Sequence, residues 1–212
     1  MQQRRKEKFF EVARRRQPDL TVILENVTDM HNIGAVLRSC DSTGIAEIFV
    51  LHTEPHLQTD FVVVGKRTSM GTRKWVEVRY FTDLQACFDK VRAQYGHILA
   101  AQPGASSQQL YQLDLTQPHA LLFGNEHSGL SAEALQKADG NFFIPHMGMA
   151  ESLNISVACA VTVYEAYRQR ALKGYYETPF RQSLQEQDAR INAYLEKHEQ
   201  RGGGKLVVYR EG

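Results

Sequence analysis

Phe143-Ile144-Pro145-His146-Met147-Gly148-Met149-Ala150-Glu151-Ser152-Leu153-Asn154-Ile155-Ser156-Val157-Ala158 changes character three times within one short segment. It opens as a strand. It breaks at Pro145, which fixes its own φ and has no amide to donate. A polar loop follows, in which Gly148 tolerates backbone geometry closed to other residues. Ser152 and Asn154 stand where a starting helix leaves its first amides unpaired, so both are candidate caps. The helix beyond them is small and apolar (Ile155, Val157, Ala158, Cys159, Ala160, Val161) and is expected to be buried. Taken alone, the segment is an ordinary strand–loop–helix connection.

On its N-terminal side, aliphatic runs alternate with helical patterns. Residues 20–24 form a buried strand by composition, ended by Glu25-Asn26. A helix is expected from about Asn32 to Thr43, with Gly44 at its C′ position. Ile33, Val36, Leu37 and Cys40 fall on one face of it, and Arg38 projects from another. Further strands are expected at 48–51, 75–81, 97–101, 120–123 and 141–144. Thr82 and Gln85 read as a capping box for a helix over 83–95, a short helix follows Ser131, and a long one spans 154–172. This β-α-β order at short spacing implies an α/β protein with a parallel sheet and helices on its faces. Residues 52–74 are loop-rich. Gly65-Lys66-Arg67-Thr68 fails as a phosphate loop because Asp60 stands where the first glycine belongs.

The two ends differ from the body. Residues 3–16 read as a short basic helix, with Phe9, Phe10, Val12 and Ala13 on its apolar side and Arg4, Arg5, Arg14, Arg15 and Arg16 outward. Pro18 follows its stop. Residues 184–198 read as an amphipathic helix on Leu184, Ile191 and Leu195. Gly202-Gly203-Gly204 is a flexible break, and 206–209 is either a short strand or a disordered end.

The net charge of +1 conceals this segregation. Residues 1–16 carry net +5, residues 17–167 net −7, and residues 168–212 net +3. An acidic body repels a polyanion, so a nucleic-acid partner would have to be gripped by the ends. Solvated helical faces are the plainer explanation of each run; their segregation favours RNA. A length of 212 residues suits one large domain with appended ends and needs no staples. The three cysteines, Cys40, Cys87 and Cys159, are widely spaced and include no CxxC, which argues against a disulfide framework or a metal site. His52 and His56, with Pro55 between them, are a poor helical metal pair. No run is apolar enough to span a membrane, and no apolar signal core follows the basic start. A cytoplasmic protein is the expectation.

Two other segments complete a pattern with 143–158. They are Asn32-Ile33-Gly34-Ala35-Val36-Leu37-Arg38-Ser39-Cys40 and Leu121-Leu122-Phe123-Gly124-Asn125-Glu126-His127-Ser128-Gly129-Leu130. In this order and spacing the three resemble the motifs of the SpoU (TrmH-type) branch of the SPOUT RNA 2′-O-methyltransferases, over about residues 20 to 170. The short basic arm, the basic tail and the lack of a large extra domain are most similar to the members of that branch that methylate guanosine 18 of tRNA.

The resemblance implies a SPOUT fold: a mostly parallel sheet with helices on both faces and a C-terminal deep trefoil knot. Knots are otherwise almost excluded, so this one is carried by the resemblance alone. The chain would divide into a basic helical arm (1–18), a methyltransferase domain (19–172) and a polar, basic extension (173–212), working as a homodimer. Its reaction would be methyl transfer from S-adenosyl-L-methionine to a ribose 2′-hydroxyl of tRNA, at guanosine 18 of the D-loop. No metal is required. By matching motifs, the cofactor contacts fall on Ala101, Gly124, Asn125, Ile144 and Leu153. The catalytic set falls on Arg38, Asn32, Glu126, Ser152 and Asn154. Arg38 stays protonated at ordinary pH and is a poor base. It can grip a phosphate in bidentate fashion, and so helps that phosphate deprotonate the hydroxyl. Arg4, Arg5, Arg14, Arg15, Arg16, Lys66 and Arg67 are the implied RNA contacts. One departure is Met30, where many relatives have proline. Three rivals stand beside this reading. They are the same chemistry on ribosomal RNA or another tRNA position, an inactive RNA-binding module, and a nucleotide-binding oxidoreductase. The last is disfavoured because no GxGxxG occurs.

Overall fold

Leu20–Glu25, Glu47–Leu51 and His119–Phe123 are buried along their whole length. Strands covered on both faces lose the apolar–polar alternation of half-exposed ones, and parallel sheets are built from them. In a computed structural model, which describes residues 3–64, 71–199 and 206–211, these three runs are β1, β2 and β7 of a seven-stranded sheet. The others are β4 (Glu77–Phe81), β5 (His97–Ala101), β6 (Gln108–Gln109) and β8 (Gly140–Phe143). The order is β4-β2-β1-β7-β5-β8-β6, and every pairing within it is parallel.

Alternate residues of each strand feed two cores. Leu20, Val22 and Leu24 join α2 (Met30–Ser42) and α5 (Ile155–Leu172) on one face. Ile23, Phe49 and Leu122 join α3 (Leu84–Tyr95) and α4 (Ala132–Lys137) on the other. Ile33, Val36, Leu37 and Cys40 are all buried on the apolar face expected of α2. The three cysteines are buried free thiols, and burial pushes those of Cys40 and Cys87 well up.

Caps move some boundaries. The Asp29 side chain accepts from the His31 amide at 2.8 Å, so α2 starts earlier than Asn32. It ends before Gly44, whose φ of +87° suits glycine and where a Cβ would lie 2.7 Å from the Arg15 carbonyl. Asp83, not Thr82, caps α3 by accepting from the Ala86 amide at 2.7 Å. Asn154 caps α5, while Ser152 caps nothing. Nor is α5 wholly buried: its first turns turn Val157, 46 % exposed, away from the core.

The ends dock on one another. Phe9 and Ala13 of α1 (Gln3–Arg14) pack on Ile191 and Tyr194 of α6 (Leu184–Glu199), beside Trp75. Phe10 and Leu184 are exposed rather than part of this seam. Phe10 lies one residue, about 100°, round the helix from Phe9, and Leu184 stands at the start of α6. β9 (Leu206–Tyr209) is a strand, antiparallel to β3 (Phe61–Val64) in a second, two-stranded sheet.

One expected RNA contact is corrected. Arg16 is 0 % exposed. It lies beyond the end of α1, where the chain turns its side chain into the junction of α1, α2 and α6. There it donates to the Tyr194 hydroxyl (2.8 Å), the Ile45 carbonyl (2.9 Å), the Trp75 carbonyl (3.0 Å) and the Asp41 carboxylate (2.6 Å). Arg170 on α5 is an equally buried clamp. It pairs with Asp19 at 2.5 Å and donates to the Leu115 and Gln117 carbonyls, both at 2.9 Å. Removing one partner of a buried, hydrogen-bonded pair leaves the other groups unsatisfied. Arg16→Ala is therefore expected to lower stability by about 3 kcal/mol, read as a lower urea midpoint at constant slope. Exposed Arg15→Ala is expected to stay within about 0.5 kcal/mol of the parent.

Candidate functional site

Because β7, β5 and β8 are parallel neighbours, the loops that follow Phe123, Ala101 and Phe143 open on the same edge of the sheet. They enclose a cavity of about 440 Å³. Ala101, Gly124, Asn125, Ile144 and Leu153 all line it, together with Glu126, Ser152 and His146.

The Gly124 loop is folded tightly on itself. The Asn125 amide donates to the Gly129 carbonyl at 3.0 Å, and the Gly129 amide returns a bond to the Asn125 carbonyl at 2.9 Å. A Cβ on Gly124 would lie 2.3 Å from the Gly129 carbonyl carbon, so only glycine lets the two strands of the turn approach this closely. The Asn125 side chain holds the turn from within. Its oxygen accepts from the His127 amide at 2.8 Å, and its nitrogen donates to the Asn26 carbonyl at 2.9 Å.

That last bond leads to two residues that sequence reasoning took only for the end of a strand. Glu25 is fully buried. Its carboxylate accepts from the Ser131 amide (2.9 Å) and from the hydroxyls of Ser131 (2.7 Å) and Thr53 (3.0 Å). Asn26 adopts φ +56°, uncommon for a side chain of any size, and its Oδ1 accepts from the Thr53 amide at 2.8 Å. The pair thus ties the β7 loop and the β2 loop to the end of β1. An acid closing an otherwise aliphatic strand was the available signal.

Three motif residues meet beside the cavity. The Asn154 side-chain nitrogen donates to Asn32 Oδ1 at 3.1 Å, and Asn32 Nδ2 donates in turn to the Glu126 carboxylate. The same Asn154 caps α5 by accepting from the Ser156 amide at 2.9 Å. One hydrogen-bonded chain therefore joins the start of α2, the β7 loop and the start of α5. Arg38 does not join it. It is exposed on α2, lies outside the lining of the cavity, and makes no hydrogen bond or ion pair with a described residue.

The predicted RNA contacts separate. Arg4, Arg5, Arg14 and Arg15 are exposed on or just after α1. A larger cleft, about 790 Å³, runs between α1 and the ends of α2 and α5, away from the three motif loops. Its lining mixes Arg5, Lys8 and Arg15 with Trp75, Tyr167 and Tyr176, a combination suited to phosphates and bases. Lys66 and Arg67 lie outside the described residues. Among the described residues, no cluster of His, Cys, Asp and Glu has the grouping of a metal site, and no helix is long and apolar enough to cross a membrane.

Comparison with known proteins gives a consistent picture. Residues 19–164 match the model of the SpoU rRNA Methylase family. The chain is 42% identical over 175 residues to the tRNA (guanosine(18)-2′-O)-methyltransferase of Thermus thermophilus, covering 82% of this chain and 88% of that one. Its fold is similar to that of the A. aeolicus TrmH/SpoU tRNA modifying enzyme, with a TM-score of 0.81, 32% identity, and coverage of 94% and 98% of the two chains. It is also similar to the SpoU methyltransferase AviRb from Streptomyces viridochromogenes, solved in complex with AdoMet (TM-score 0.65, 29% identity, coverage of 74% and 62%).

The close turn at Gly124 has a direct test. Gly124→Ala is expected to push the turn open, so that the Asn125 and Gly129 amides exchange with solvent roughly tenfold faster. Amide hydrogen exchange of the 125–130 segment reads this, with unchanged exchange in α3 as the control.

Proposed function

The chain belongs to the SpoU rRNA methylase family, and from that membership we propose that it transfers a methyl group from S-adenosyl-L-methionine to the ribose 2′-hydroxyl of guanosine 18 in tRNA. The observation that carries this reading is the hydrogen-bonded chain Asn154–Asn32–Glu126, which unites all three motifs at the side of one cavity.

The cavity fits the cofactor. Its volume lies within the roughly 300–1,000 Å³ of small-molecule sites. Part of its wall is the tight Gly124 turn, which presents backbone groups rather than a side chain at that position. When bound, S-adenosylmethionine supplies an electrophilic methyl group. Ala101, Gly124, Asn125, Ile144 and Leu153 hold it. Glu25 and Asn26 keep the Gly124 loop in place.

The chain's other residues act on the RNA. Arg38 grips a substrate phosphate as a permanently charged, bidentate donor. It thereby fixes the neighbouring 2′-hydroxyl, whose proton passes to that phosphate, and much of the acceleration is positioning. Asn32, Glu126 and Asn154 hold the mouth of the site, and the exposed Ser152 meets the ribose. Arg38 lies outside its own chain's cavity, so it serves the cavity of a second copy. The homodimer forms on the exposed face of α5, at Val157 and Tyr164. Arg4, Arg5, Arg14 and Arg15, with the cleft beside α1, hold the body of the tRNA.

In the same reading, residues 1–18 are an RNA-binding arm, 19–172 the methyltransferase domain and 173–212 an extension. The domain closes in a trefoil knot. In its support, α5 grips the 113–117 loop through Gln169 and Arg170, after β8 has entered the sheet between β5 and β6. A tRNA substrate and buried free thiols fit a cytoplasmic setting.

The test is methyl transfer from labelled S-adenosylmethionine to unmodified bulk tRNA, followed by mapping of the product. A 2′-O-methyl group at guanosine 18 is expected. Label elsewhere in tRNA or in ribosomal RNA would keep the chemistry and discard the substrate. No transfer by the folded protein would leave the inactive RNA-binding module. Arg38→Ala is expected to stay folded and dimeric and to keep cofactor affinity, while losing about 100-fold or more in transfer. Normal turnover by that variant would remove Arg38 from the reaction.

A further inference from the structure

Among the described residues three arginines are almost fully buried, and two of them are satisfied. Arg16 has Asp41, and Arg170 has Asp19, each with backbone carbonyls in addition. Arg73 is 8 % exposed, yet its Nε has no hydrogen-bond partner, and no described residue pairs with its guanidinium. A charge taken out of water without a counter-charge is strongly unfavourable. Among the described residues no acid meets this group, and its buried Nε is left open to an anion from outside.

The surroundings agree. Arg73 lies in the 3₁₀ turn Thr72–Lys74 and lines a cavity of about 430 Å³ between that turn, β4, the end of α6 and β9. Lys74, whose ammonium donates to the Lys197 carbonyl at 3.2 Å, and Lys197 itself add positive charge to the wall. Glu77 is the one acid among the lining residues. It is turned outward, 3.6 Å from Arg79. The opposite wall is apolar and comes from β9, with Val208 inside and Tyr209 exposed at the rim. A cationic floor under an apolar, aromatic wall suits a phosphate carried on a nucleoside.

We propose that this cavity is a phosphate-binding site, separate from the cofactor cavity, in which Arg73 is the principal ligand and strand β9 forms the wall. The phosphate is either a diester of an RNA backbone or the monoester of a free nucleotide. The site stands on its own geometry and does not depend on the methyl-transfer reading.

The experiment is thermal unfolding of the full chain titrated with inorganic phosphate, against sodium chloride at matched ionic strength. The parent protein is expected to show a saturable rise in Tm with phosphate. Arg73→Met is expected to start at or above the parent Tm, because an unpaired buried charge has gone, and to show no such rise. Arg73→Lys is expected to keep part of it. No saturable rise in the parent, or an equal rise in Arg73→Met, overturns the proposal. If Arg73→Met does not fold, Lys197→Met at the edge of the cavity is expected to weaken the phosphate response, and a full response in it counts against the site. Affinity for an unmodified tRNA transcript then separates the sources. A loss of roughly tenfold in Arg73→Met assigns the phosphate to RNA, whereas unchanged tRNA binding with a lost phosphate response assigns it to a free nucleotide. S-adenosylmethionine affinity, measured beside these, is expected to be equal in parent and variant; failure of methyl transfer alone leaves the Tm result intact.

Discussion

All seven strands of the main sheet run one way, and most of what is functional here follows from that constraint. Parallel strands deliver the loop that follows each strand to the same edge, so polar backbone crowds together where no ladder continues to satisfy it. The chain answers with side chains at the strand end. Glu25 is buried at that edge and accepts three hydrogen bonds from two other loops. Asn26 takes an uncommon φ to do the same work with Thr53 and Asn125. Backbone held in a sparsely populated region persists only when its surroundings over-determine it, and Asn26 is held by partners on both sides. That strand end thus braces one wall of the cavity.

A second theme is the use of buried cations where helices must be joined. A short helix such as α1, with few apolar residues, does not hold itself together in water. Phe9 and Ala13 give it a seam with α6, and Arg16 locks its exit to α2 and Trp75. Arg170 does the same at the far end of α5, where Asp19 also receives Arg181 at 2.6 Å. Arg16 reaches the Ile45 and Trp75 carbonyls and Arg170 those of Leu115 and Gln117, each beside a carboxylate, which a lysine could not match with its single ammonium. The basic character of the ends thus has two physical origins, solvent-facing charge and internal clamping.

Those two origins explain what the sequence could and could not reveal. The buried strands were legible from aliphatic runs, and α2 from the spacing of Ile33, Val36, Leu37 and Cys40. The residues around the cavity were legible through motif order, since Gly124, Glu126 and Asn154 do converge. Arg16 was not legible. It belongs to the same basic run as Arg14 and Arg15, and only contacts from four distant segments distinguish it. β3 was hidden for a similar reason, because its pairing partner β9 lies near the other end of the chain. The link from Asn32 to Glu126 and the hub at Glu25 are likewise tertiary facts that local pattern does not carry.

The segment after β9 bears on a different hazard. β4 is the outermost strand of the main sheet, and an outer strand offers a template on which a stranger chain can polymerise. Here the Glu211 amide donates to the Tyr80 carbonyl at 2.8 Å, and its carboxylate lies 3.1 Å from Arg79. The opposite border, β6, is only Gln108–Gln109. The chain has thus laid its own last described residues along the longer border and kept the other too brief to recruit a neighbour. The outcome is colloidal: a sheet of seven strands that resists growing an eighth from another molecule.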